Sequence, residues 1–179
     1  MMSIDHEYMQ RILLALLNIP SPSGYSDQIV HFVGQEIERL QLDFNVTRRG
    51  AIRATLPGCQ NRLDRAVTAH LDTLGAMVNR LKANGRLGIA PVGTWSSRFA
   101  EGARVTIFTP DGPQRGTVLP LKASGHVFGE AIDGQPTGWD HVEIRVDVPC
   151  RRESELRAAG FTVGDLVAFD ALPEITPPG

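Results

Sequence analysis

The sequence predicts an α/β chain: half of an α/β sandwich followed by a small β-barrel. Three observations carry this. Two helical periodicities and then three short β-forming runs occupy residues 1–74. Short β runs punctuated by Gly, Pro and Asp turns occupy most of the remainder, and most of the 18 glycines lie there. A helix–helix–strand–strand–strand order builds half of a sandwich. Regular short strands without a long helical pattern build a barrel.

The first helix is written in Met9, Ile12, Leu13, Leu16 and Leu17, which share one helical face. Asp5 suits its N-cap and Pro20 closes the pattern. Ser21-Pro22-Ser23-Gly24-Tyr25 is a turn. A second helix starts near Ser26-Asp27, with Ile29, Phe32, Val33, Ile37 and Leu40 inward and Gln35, Glu36, Glu38 and Arg39 toward water. Phe44 and Val46, then Ile52, Ala54 and Leu56, alternate as two strands joined through Arg48-Arg49-Gly50. After Pro57-Gly58 and a polar loop, the stretch Ala66 to Gly75 begins as a buried strand that ends at His70. The barrel runs are Ala76–Leu81, Leu87–Val92, Arg104–Thr109, Gly116–Leu121 and His141–Val148. Asn84-Gly85, Asp111-Gly112 and Asp133-Gly134 each fit a turn with positive φ. Ser154 to Ala159 fits one helical turn ended by Gly160, and Val163–Phe169 a turn with a closing strand. Pro177-Pro178-Gly179 is linker-like.

Composition excludes several function classes. The 179 residues are 42% hydrophobic and 21% charged with net charge −2, so no basic surface calls for nucleic acid or anionic membrane. No apolar run approaches the roughly 18 residues of a membrane span, and Met1-Met2-Ser3-Ile4-Asp5-His6-Glu7 lacks the order of a signal peptide. A cytoplasmic location is expected, which leaves the Asn45-Val46-Thr47 acceptor pattern without a role. Cys59 and Cys150 form neither a disulfide framework nor a zinc knuckle. There is no G-x-S-x-G elbow, H-E-x-x-H helix or phosphate-cradling glycine loop.

The chemistry concentrates in Ala69-His70-Leu71-Asp72-Thr73. Strand side chains alternate, so His70 and Asp72 share a face while Leu71 points inward. A ring nitrogen is then open to a metal, and the carboxylate can fix the ring's orientation, as metal-bound histidines require. The other histidines carry blander readings. His6 and His31 lie on helix surfaces, His141 opens a strand beside Asp140, and His126 in Lys122-Ala123-Ser124-Gly125-His126 serves structure or an interface.

Ser21-Pro22-Ser23-Gly24, then Ala69-His70-Leu71-Asp72-Thr73, then a glycine-rich β segment and Gly164-Asp165, resemble the first half of one family. It is that of the tetrahedral or deblocking aminopeptidases, the forty-second metallopeptidase family, with glutamyl aminopeptidases and endoglucanase-M-like proteins. The resemblance implies a partial α/β/α sandwich of a dinuclear metallopeptidase, with residues 1–74 as the first part of the catalytic α/β domain and 75–164 as an oligomerisation barrel inserted into it. Residues 165–179 would be the return strand and truncated tail of the catalytic domain. It implies two divalent ions, zinc or cobalt, acting on a small peptide or amide substrate. His70 would be a metal ligand and Asp72 the catalytic carboxylate that orients it. The bridging aspartate, general-base glutamate and further ligands of the family would follow Gly179, so a fragment or truncated form is expected, inactive alone and binding no metal tightly. A second reading is a non-catalytic barrel for oligomerisation or peptide docking. Trp95, Phe99, Phe108 and Phe128 are more large apolar side chains than so small a barrel encloses, so some of them are expected on the surface as a contiguous patch for a homo-oligomer.

Overall fold

The computed structural model describes residues 4–58 and 65–176. Cys59, the polar loop around it and the Pro177-Pro178-Gly179 tail lie outside the described residues. The chain divides into two units, one of residues up to Thr73 together with those from Leu172, the other Leu74–Ala171.

In the first unit, the Asp5 carboxylate accepts from the Tyr8 N–H at 2.9 Å and starts helix α1, His6–Asn18. This satisfies one of the donors that a helix N-terminus leaves open. The apolar stripe of α1 forms as expected, yet no residue of the helix is buried. Helix α2, Asp27–Arg39, is seated by Ile29, which is 2% exposed. Glu36 corrects the sequence reading. It follows Ile29 by two turns, lies on the same face and is buried, not solvated. Its carboxylate accepts from the Arg39 guanidinium, as a buried charge requires. Gly34 leaves room for β1: a Cβ there would meet the Phe44 ring at 3.2 Å. Strands β1, Phe44–Val46, and β2, Ile52–Ala54, pair antiparallel as expected.

The third expected strand does not form. Residues 65–72 carry no ladder, residues 65–70 are exposed, and Val67 is 97% exposed. β-propensity measures fit to a pleated, half-buried surface. Among the described residues no strand lies beside this segment to provide one. A single parallel bridge, Thr73 to Pro22, ties its end.

The second unit is the barrel. Strands β3 (Gly75–Leu81), β4 (Leu87–Val92), β5 (Arg104–Thr109) and β6 (Gly112–Pro120) come first. Helix α3 (Gly125–Phe128), β7 (Val142–Val146), helix α4 (Glu153–Ala158) and β8 (Leu166–Phe169) follow. The sheet closes in the order β3-β4-β7-β6-β5-β8, all neighbours antiparallel. Alternation fills the interior with Val78, Leu87, Ile89, Val105, Ile107, Val118, Ile144 and Val167, while Leu156 and Phe161 join the same core. Gly85 and Gly112 take φ of +75° and +116°, as their hairpins require. Gly134 does not take positive φ; it follows a 3-10 turn over Gly129–Ile132. A second 3-10 turn, Trp139–His141, delays the start of β7 by one residue.

One further expectation is revised. Strand β8 pairs with both β3 and β5, so it is a stave of the barrel and not a return strand of the first unit, which resumes at Leu172. The four aromatic residues expected to supply a surface patch divide between packed and exposed positions. The Trp95 indole N–H donates to the Gly75 carbonyl at 3.1 Å, and its ring meets Trp139 and Phe169 edge-on, each at 4.7 Å between centroids. Trp95 and Phe108 are half-buried, leaving Phe99 and Phe128 exposed. Among the described residues no helix is long and apolar enough to cross a membrane.

Candidate functional site

The site is built by the turn between α1 and α2 meeting the segment 71–73. Ser21 is fully buried, and its hydroxyl donates to the Leu71 carbonyl at 3.0 Å. Its own carbonyl accepts from the Thr73 N–H at 2.8 Å. Pro22 forms the parallel bridge to Thr73. Two residues beyond Ser21, the Ser23 hydroxyl donates to Oδ2 of Asp72. The segment 71–73 is thus held at backbone and side chain alike without belonging to a sheet.

This frame sets His70. Its Nδ1 lies 2.9 Å from the Asp72 carbonyl oxygen and 3.3 Å from Asp72 Oδ1. Both neighbours are acceptors, so the neutral ring carries its proton on Nδ1 and leaves the Nε2 lone pair open. The imidazole is 84% exposed, so Nε2 is accessible to a ligand. The Ser23 hydroxyl holds the Asp72 carboxyl below the usual carboxylate range; burial opposes this, and the local backbone and His70 add to it. Asp72 is therefore an anion at neutral pH, the state in which it accepts from both partners.

Among the described residues the donor set fits one ligand of a divalent ion, His70 Nε2. A catalytic zinc takes about three protein ligands, and among the described residues no group of three or more His, Cys, Asp or Glu could hold an ion. No metal-centred step follows from these residues alone.

The other sequence candidates stand apart. His126 is exposed on α3, His6 is exposed on α1, and the His31 ring lies 3.0 Å from the Gln35 amide on α2. His141 ends a 3-10 turn, half-buried. Burial pushes the Cys150 thiol up, away from nucleophilic use. The sequence marks Ser21 and Ser23 as turn residues and as part of the family motif, without a partner for either hydroxyl. Their partners lie 50 and 49 positions away, and no local pattern connects them.

Comparison with known proteins places these features in context. The family model described as M42 glutamyl aminopeptidase matches residues 50–179. Aminopeptidase YhfE of Bacillus subtilis is 36% identical over 171 residues, covering 94% of this chain and 49% of its own length. The chain spans about half the length of the curated relatives it matches. Among solved structures, the TET aminopeptidase of Thaumarchaeota archaeon SCGC AB-539-E09 superposes with a TM-score of 0.76 at 19% identity, covering 93% of this chain and 45% of its own. The Pyrococcus horikoshii TET1 peptidase, described as assembling into a tetrahedron or a large octahedral shell, gives 0.71 at 21% identity, covering 90% and 46%.

Proposed function

Because the chain belongs to the M42 glutamyl aminopeptidase family, we propose that it is the first half of a metal-dependent aminopeptidase that cleaves small peptides. The observation that carries this is the His70–Asp72 pair, with Nδ1 engaged by acceptors and Nε2 left open. In this reading His70 binds one of two divalent ions, zinc or cobalt, through Nε2, and Asp72 keeps the ring in that tautomer and orientation. When bound, such ions supply an activated water and polarise the scissile carbonyl. The other ligands and the general base would come from outside these 179 residues, and the protein would act in the cytoplasm.

The barrel is proposed to serve self-association. Phe99, 80% exposed, and Phe128, 41% exposed, are the large apolar side chains left on that unit from the expected patch. The reported assembly of the Pyrococcus horikoshii peptidase supports this direction. A second reading, in which this polypeptide works only as a barrel module, is favoured by one observation: the barrel is closed while the described residues hold no complete metal site.

Release of p-nitroaniline from aminoacyl p-nitroanilides tests the proposal. The whole gene product is expected to show zinc- or cobalt-dependent turnover that His70→Ala abolishes, and the 179-residue chain alone none. Undiminished turnover in His70→Ala would refute the ligand assignment. A metal-independent or inactive gene product would leave the barrel-module reading.

A further inference from the structure

We propose that the Ser21-Pro22-Ser23 segment is a positioning element for the His70–Asp72 pair, and that the Ser23 hydroxyl selects the Asp72 rotamer that fixes the His70 tautomer. Its catalytic consequence rests on the reading of His70 as a metal ligand; the geometry does not.

The argument begins with what the segment does not do. Ser23 is no helix cap, because Ser26 occupies the N-cap position of α2. Its hydroxyl instead reaches a carboxylate 49 residues away. The two Asp72 oxygens then have separate tasks, Oδ2 to Ser23 and Oδ1 toward His70 Nδ1 at 3.3 Å. Without Ser23, a carboxylate whose side chain is 43% exposed is free to turn to water. Ser21 fixes the backbone of the same segment through Leu71 and Thr73, and it is wholly buried, so the base of the frame is rigid.

The His70 ring is exposed, and among the described residues no sheet neighbour packs on it to choose its rotamer or tautomer. In water, neutral imidazole favours the proton on Nε2, the nitrogen that a metal would need bare. Two acceptors at Nδ1, one of them held in place by Ser23, reverse that preference.

The test uses ¹⁵N-histidine-labelled 179-residue protein and long-range ¹H–¹⁵N spectra, at a pH well above the ordinary imidazole pKa of about 6.5. His70 signals are assigned by their loss in His70→Gln. The wild type is expected to show His70 mainly as the Nδ1–H tautomer. Ser23→Ala should move it toward Nε2–H, while Ser23→Thr, which keeps the hydroxyl, should retain Nδ1–H. Amide dispersion checks that each variant is folded. A wild type mainly in the Nε2–H form overturns the proposal, as does a folded Ser23→Ala that keeps the wild-type tautomer. If Ser23→Ala fails to fold, Ser23→Thr decides: retention supports the role of the hydroxyl, and loss in a folded protein overturns it.

In the whole gene product, Ser23→Ala should weaken zinc affinity by roughly 10- to 100-fold, the usual effect of removing a partner that orients a ligand. An inactive gene product with the tautomer shift intact would refute the aminopeptidase reading and leave this inference standing. A zinc-dependent enzyme without the shift would do the reverse.

Discussion

Trp95 decides whether the barrel's aromatic residues are internal struts or surface anchors, and its replacement by alanine gives opposite results in the two cases. The indole N–H donates to the Gly75 carbonyl at 3.1 Å, where β3 begins. The ring meets Trp139 at 69° and Phe169 at 89°, both with centroids 4.7 Å apart. Phe169 ends β8 and Trp139 starts the turn before β7, so one side chain ties three parts of the closed sheet. Each edge-on pair contributes about 1 kcal/mol beyond buried area, and the hydrogen bond contributes about 1 kcal/mol net.

Trp95→Ala should therefore destabilise the barrel by about 3 kcal/mol, read from urea unfolding by circular dichroism with near- and far-ultraviolet transitions compared for coincidence. Trp95→Phe keeps the ring contacts and loses the donor, so it should cost about 1 kcal/mol. Phe99→Ala, at a side chain 80% exposed, should stay within about 0.5 kcal/mol of wild type. A Trp95→Ala protein as stable as wild type would refute the strut. If that variant also lost self-association, the residue would be a surface anchor after all.

Two other outcomes follow from the same packing. A Cβ at Gly116 would lie 2.7 Å from Ile144 Cγ2 and 3.0 Å from the Arg145 carbonyl, so Gly116→Ala should cost about 1–3 kcal/mol by overpacking in the same urea assay; a neutral result would mean the barrel interior has slack. The Arg104 guanidinium, donating to Asp147, holds that carboxyl below its usual range. A depressed folded pKa adds stability that is present above the ordinary carboxylate pKa and is lost as pH falls through the lowered value. Arg104→Gln should therefore raise the Asp147 midpoint in a carboxyl ¹³C titration, and its stability deficit against wild type should shrink on acidification. An unmoved midpoint would refute the pairing.

The barrel was legible because its signals are local. Alternating runs bounded by Asn84-Gly85 and Asp111-Gly112 give β4 and β5 to the residue. The pairing of β8 was not legible, since a four-residue strand does not state which neighbours it will take. The same limit misled the reading of Ala66 to His70, whose side chains favour a strand but which meets no partner among the described residues. The charge of Glu36 points to water, but its place on the Ile29 face decides, and the residue is buried. At the site, His70 and Asp72 were visible because two-residue spacing puts them together. Ser21 and Ser23 were invisible in that role because the contact is made by a turn 50 residues upstream.

The two units differ in how far they satisfy their own groups, and the difference explains where the site's order comes from. In the barrel every strand has two neighbours, and among the described residues a single buried side-chain polar atom, Ser97 Oγ, lacks a partner. In the first unit, Met9, Leu13 and Leu17 of α1 stay exposed, as does the run 65–70. Among the described residues no sheet neighbour places His70. A buried serine, a proline bridge and one hydroxyl–carboxylate bond do, all within the same unit as the histidine. Pre-organisation here is a local property of two short segments. Substitutions in Ser21-Pro22-Ser23 should accordingly act on the imidazole, whereas those at Trp95 or Gly116 act on the barrel. The two sets share no partner, and effects of such independent sites combine additively.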